Sequence, residues 1–169
     1  NTLADIALSS ALSCLKNVKE YSFLSRGSDE RQYCSPRVNL PVCTFCRSKF
    51  GEFKEYHTSA DNFNLVTQEG LNASLKVLIS LVDAFEVGIY PKSLIMCEPQ
   101  LGKRALYPNI SKTYKVHPAK LRTDFIAYCD GERTIFEICK KINCDLRSLI
   151  KESKLLRDEK LIRIHRKPN

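Results

Sequence analysis

The chain has 169 residues, 43% hydrophobic and 27% charged, and its 27 Lys+Arg against 19 Asp+Glu give a formal charge of +8. A chain of this length can bury a core without help from metals or disulfides, and ordinary apolar content with seven Tyr and eight Phe excludes a disordered polymer. No window reaches 18 uncharged apolar residues, the longest candidate being 77–82, so a membrane-spanning helix is excluded and no membrane partner is expected.

Leu3, Ile6, Ala7, Ala11, Leu12 and Leu15 recur at helical spacing and predict an amphipathic helix over 3–15. The opening Asn1-Thr-Leu-Ala-Asp has neither an initiator Met nor a basic stretch ahead of an apolar core, so no signal peptide and a cytoplasmic location are expected. Residues 21–24 read as a short strand. The polar stretch 25–36, punctuated by Gly27 and Pro36, reads as irregular. Residues 38–45 form the next strand candidate, with Pro41 arguing for an edge or a bulge.

The clearest element follows the loop 50–62. Thr67 is placed to cap a helix, Glu69 suits the positive end of its dipole, and Leu71, Leu75, Leu78, Ile79, Val82 and Phe85 repeat at helical spacing until Gly88 stops it. Residues 90–118, with Pro91, Pro99, Pro108 and Pro118, read as an irregular connector or arm with at most short strands. A short helix is then expected over 121–128 and is broken by Asp130-Gly131. Thr134-Ile-Phe-Glu137 is a capping box opening a second helix, a third starts near Asp145, and 161–165 alternate as a closing strand. Three helices, a tight turn at 143–145 and a β segment predict a small winged-helix module. The boundary is drawn at 118, giving domains 1–118 and 119–169.

The eight cysteines (14, 34, 43, 46, 97, 129, 139 and 144) are even in number, which fits disulfides, but the length and the helical periodicity favour reduced, intracellular thiols. Cys43-Thr-Phe-Cys46 has the spacing of half a zinc knuckle. It lacks the second pair that a structural site needs, and strand thiols are expected there.

Three histidines are present. His117 precedes a proline and His165 sits in a basic tail, so both read as solvated. His57 lies beside Glu55, Thr58, Ser59, Asp61 and Asn62, just before a helix. A metal-bound imidazole needs a neutral ring whose second N–H is held by a carboxylate or carbonyl, which Asp61 or a loop carbonyl could supply. Spacing alone leaves His57 open between a functional imidazole and a solvated loop side chain.

The string Tyr56-His57-Thr58-Ser59-Ala60-Asp61-Asn62 resembles the His-Thr-x-x-Asp loop that donates the final zinc ligand in co-catalytic zinc aminopeptidases. Five further strings are similar to one bacterial branch, an aminopeptidase-like family with a C-terminal winged helix, of unknown function and called polysaccharide-biosynthesis-associated. They are Gly27-Ser-Asp-Glu-Arg-Gln-Tyr-Cys-Ser-Pro36, Asn39-Leu-Pro-Val42, Gly51-Glu-Phe53, Cys97-Glu-Pro-Gln-Leu-Gly-Lys-Arg104 and Leu106-Tyr-Pro-Asn-Ile-Ser111. The resemblance implies an α/β fold in which this chain is the C-terminal part of a three-layer zinc-aminopeptidase-like domain, followed by the winged helix. Members are more than twice this length, with the first His and Asp ligands and the catalytic Glu upstream of the matched segment, so the general base is expected ahead of Asn1.

The resemblance further implies a metallopeptidase-like hydrolase that acts on a peptide or amide bond through a water activated by one or two zinc ions. His57 takes the place of a metal ligand, Asp61 stands behind it, and Asp29, Glu30 and Arg31 lie in a loop bordering the cleft, where they meet substrate or form a structural network. Two departures are visible. Arg37 stands where the family usually has Gly after Cys-Ser-Pro, which would strain a backbone needing positive φ. Cys43-Thr-Phe-Cys46 replaces a stretch that tends to begin with Gly.

A non-catalytic reading belongs to another class. Residues 119–169 hold 13 Lys+Arg against 8 Asp+Glu, and Arg147, Lys151 and Lys154 fall on one helical stripe. Asp145, Glu152, Asp158 and Glu159 interrupt it, and no cluster resembles a base-reading set. Docking of a protein partner is therefore expected from the winged helix ahead of DNA.

Overall fold

The structure is a computed structural model that describes residues 2–25, 27–107 and 117–167. Residues 108–116, with Pro108 and the end of the string that starts at Leu106, lie outside the described residues.

Helix α1 (Leu3–Leu12) opens on a capping box: the Thr2 hydroxyl accepts from the Asp5 N–H, and the Asp5 carboxylate accepts from the Thr2 N–H at 2.9 Å. It stops three residues short of the predicted end. The Ser13 hydroxyl donates to the Ser10 carbonyl at 2.8 Å, competing with the helical ladder, and Leu15 is left exposed. Neither strand expected in the first third forms. Residues 23–25 make a 3₁₀ turn (Phe23–Ser25), and 38–45 form no ladder, with Asn39 left-handed at φ 47°. Pro41 has no N–H to donate, and the backbone around it is satisfied locally: the Leu40 N–H donates to the Tyr33 carbonyl at 2.8 Å, and the Cys34 thiol donates to the carbonyls of Leu40 and Val42. Cys43 and Cys46 are accordingly not strand thiols; Cys43 is half-buried and Cys46 exposed.

A one-turn helix, α2 (Glu30–Tyr33), precedes this segment, and α3 (Gln68–Val87) follows it. The α3 ends are those predicted: the Thr67 hydroxyl accepts from the Gly70 N–H, and Gly88 at φ 106° turns the chain out. Val77 and Ala84 are buried, whereas the periodic apolar positions Leu71, Leu75, Leu78, Ile79, Val82 and Phe85 are 41–61% exposed.

Strand β1 (Tyr90–Ser93) comes next, then a 3₁₀ turn at Leu101–Arg104, and then α4 (Pro118–Ala127), α5 (Ile135–Lys141), α6 (Leu146–Asp158) and β2 (Ile162–His165). The predicted capping box at Thr134 and Glu137 is present, and Asp145 caps α6 by accepting from the Ser148 N–H at 2.8 Å. Strand β1 pairs antiparallel with β2, Tyr90 opposite His165 and Ser93 opposite Ile162, and its other edge bridges Lys92 to Asp130. A boundary at 118 separates β1 from its partner, whereas a boundary before Ile89 keeps the pair together.

The core lies among these last elements. Phe125, Ile135, Phe136, Ile138, Leu146, Leu149, Leu156 and Leu161 are essentially inaccessible, and burying each such side chain contributes about 1.5–3 kcal/mol. Helix α1 lays Ala7 and Ser10 against α5 and α3, and α3 packs on α6 and α1. No described helix is long and apolar enough to cross a membrane.

Candidate functional site

The His57 loop is a chain of tight turns. The Thr58 N–H and hydroxyl both donate to the Glu55 carbonyl, the latter at 2.8 Å, the Asp61 N–H donates to Thr58, and the Asn62 carbonyl accepts from Leu65 and Val66 just ahead of α3. The loop stands on an aromatic cluster in which Tyr56 meets Phe53 edge-on at 5.6 Å and Phe50 at 6.2 Å. The His57 ring stacks on Tyr56 at 4.0 Å. Its backbone is left-handed, φ 58°, an unusual conformation for a non-glycine residue, and it presents the imidazole to solvent.

Asp61 is exposed, and no hydrogen bond joins it to the His57 ring among the described residues. Nor does any group of three His, Cys, Asp or Glu side chains converge as a metal site among them. A zinc ion needs about three protein ligands and an open position. The residues of this segment therefore do not make a zinc site by themselves.

The Asp29-Glu30-Arg31 turn splits three ways. Glu30 is 1% exposed and accepts a hydrogen bond from the Thr44 hydroxyl at 2.9 Å, tying α2 to residues 38–45. Asp29 faces solvent, and the Arg31 guanidinium covers the Phe23 ring at 4.9 Å. Among the described residues, no hydrogen bond joins Asp29 or Arg31 to the His57 loop. Of the three, Glu30 is the one tied into the fold by a side-chain hydrogen bond, through Thr44.

A cluster that sequence reading missed lies in the wall of a cavity of about 1020 Å³ between α1, residues 43–53 and α3. Tyr21 donates its hydroxyl to Glu52 at 2.7 Å, and Lys49 reaches Glu52 at 3.2 Å while lying 5.0 Å over the Tyr21 ring. The hydrogen bond from Tyr21, then that from Lys49, holds the Glu52 carboxyl below its ordinary range; the same bond to Glu52 raises the Tyr21 phenol. Tyr21 and Glu52 are 31 residues apart, so no local spacing could announce them, although Glu52 belongs to one of the strings that carry the resemblance.

Residues 1–88 match a family model described as a domain of unknown function, DUF4910. The chain belongs to the DUF4910 family. Residues 89–164 match a winged helix-turn-helix model, so the DUF4910 part hands over to the winged helix at the point where the chain leaves Gly88 for β1. A Clostridium acetobutylicum protein named "Putative polysaccharide biosynthesis protein with aminopeptidase-like domain" is 44% identical over 90 residues, which cover 50% of this chain and 20% of that protein. A crystal structure described as a "putative peptidase" from Clostridium acetobutylicum superimposes with a TM-score of 0.74 at 29% identity, covering 96% of this chain and 36% of that one. This DUF4910 chain thus spans about a third of the length of the solved relative, and its architecture is that of a peptidase-like segment with a winged helix.

Proposed function

We propose that this segment is part of a peptidase-like hydrolase acting on a peptide or amide bond, in which His57 supplies one ligand to a zinc site completed by other parts of the polypeptide. The observation that carries the reading is the superposition of 96% of the chain on a solved chain described as a putative peptidase. The presentation of His57 supports it: a solvent-facing imidazole on left-handed backbone stacks on Tyr56 without being used by the segment's own core. Asp61 in the next turn is near enough in sequence to orient the ring once the site is assembled.

The three-layer α/β architecture is part of the same proposal. An uncovered stripe of Leu71, Leu75, Leu78 and Val82 on α3 is what a helix needs to lie on a sheet, and the solved relative has nearly two thirds of its chain beyond the part matched here. A link to polysaccharide assembly is inherited from the name of the curated relative, and a cytoplasmic location is carried beside it as part of the proposal. Zinc content by elemental analysis and hydrolysis of aminoacyl chromogenic substrates, on the complete polypeptide carrying this segment and on its His57→Ala variant, test the reading. Loss of zinc and of turnover in the variant supports it; equal zinc and equal rates in both overturn it.

A second reading is favoured by one observation. Glu152, which interrupts the basic stripe on α6, is engaged by Arg122, leaving Arg147 and Lys151 exposed beside it. The winged helix could then present a net cationic face to a protein partner or to DNA. A steep fall of duplex binding with salt supports the DNA form; retained protein capture without duplex binding supports docking.

A further inference from the structure

The turn between α5 and α6 holds two thiols that nothing above uses. Cys139 is buried on α5, and Cys144 is half-buried in the turn, four residues between them. The chain reverses at Asn143, φ 51°, and the Cys144 N–H donates to the Cys139 carbonyl at 3.2 Å, so the two backbones are already tied. The Cys139 thiol donates to the Cys144 carbonyl at 3.0 Å, and the Cys144 thiol donates to the Cys139 sulfur at 3.8 Å. A disulfide needs the sulfurs about 2.05 Å apart, which side-chain rotation can supply from here.

We propose that Cys139 and Cys144 are a redox-active dithiol, oxidised by a peroxide to a disulfide that closes across the turn of the helix-turn-helix. The two sulfurs differ both in access and in how the contact between them shifts each proton. The hydrogen bond from Cys144 lowers the Cys139 thiol against the opposing effect of burial, with the Ser10 hydroxyl adding to the lowering; Cys144, as the donor, is raised. Loss of one proton therefore leaves a charge shared over the contact. Cys144 is the sulfur that solvent reaches. With its proton passed across the contact to the Cys139 sulfur, the Cys144 thiolate attacks one peroxide oxygen and the O–O bond breaks, giving S–OH on Cys144 and one water once the leaving hydroxide takes up a proton. The Cys139 sulfur then attacks the Cys144 sulfur, the S–S bond forms, the S–O bond breaks, and the hydroxide leaves with the second proton as another water. Two thiols are oxidised and one peroxide is reduced to two waters. The cross-link fixes the turn that feeds the Asp145 cap of α6.

The test is a hydrogen peroxide titration of the chain, followed by denaturation, alkylation and peptide mapping by mass spectrometry. The expected product is a linked Cys139–Cys144 peptide, lighter by two hydrogens, unalkylated and restored by dithiothreitol. The wild-type melting temperature should rise on oxidation, and that of a folded Cys144→Ser variant should not. The proposal is overturned if both cysteines are alkylated after oxidation. It is equally overturned if Cys144 is found linked to the exposed Cys14 instead. The wild-type map decides the matter even where the variant folds poorly.

Discussion

Arg122 on α4 and Glu152 on α6 form an ion pair 2.6 Å long, with only 12% and 14% of their side chains exposed. The same guanidinium donates to the Leu106 carbonyl, so one side chain locks two helices and the segment ahead of them. Removing Arg122 strands a half-buried carboxylate and a carbonyl. Arg122→Met should cost about 2–3 kcal/mol, and Glu152→Gln, which keeps a hydrogen-bonding oxygen, about 1 kcal/mol. Urea denaturation checks both values; midpoints that do not move would make this an ordinary surface pair.

Gly88 closes α3 where β2 passes. A Cβ there would stand 2.9 Å from the Ile164 methyl Cγ2 and 3.2 Å from the His165 carbonyl oxygen, on backbone at φ 106°. Gly88→Ala should therefore destabilise by about 1–3 kcal/mol. Thermal melts should show a smaller cost in an Ile164→Ala background, though not zero, because the backbone strain persists.

Arg37 sits at φ 78°, the conformation in which a glycine is at ease. Replacing it by Gly should stabilise by up to about 1 kcal/mol, the relief of left-handed strain exceeding the entropy that Gly loses. Arg37→Ala keeps the strain and should bring no gain. Paired melting curves separate the two.

The Tyr21–Glu52 contact should respond to pH at both ends. Glu52 is lowered from 4.5, so its contribution is present above that value and is lost as pH falls through the depressed one; Tyr21 is raised from 10.0, so its contribution is present below that value and is lost as pH rises through the elevated one. An NMR titration of the Glu52 carboxyl should give a midpoint below 4.5. Tyr21→Phe should move that midpoint partway up, Lys49 still holding the rest. An unmoved midpoint would show that the phenol does not bond the carboxylate in solution.

Local sequence carried the helices well. Caps at Thr67, Thr134 and Asp145, and breakers at Gly88 and Gly131, act within one turn of backbone, so each end they announced is present. Strands fared differently. The alternation in 38–45 is genuine, but a strand exists only where a second strand offers its ladder, and here Tyr33, Glu30 and Cys34 take up the polar groups instead. β1 was obscured by Pro91, which is tolerated opposite Ile164 because that position needs no N–H donor.

At the candidate site, the sequence by itself named His57 as a candidate and left its role open, since a local string names a residue but not its company. Only the tertiary structure decided that Glu30 points inward to Thr44, that Tyr21 finds Glu52, and that Cys144 meets Cys139 across a turn. The same holds for α3: periodicity determined that it is a helix with an apolar stripe, whereas the stripe's exposure depends on which layers the chain folds against it. Periodicity and capping are short-range properties of one segment, while burial is a property of whatever lies opposite.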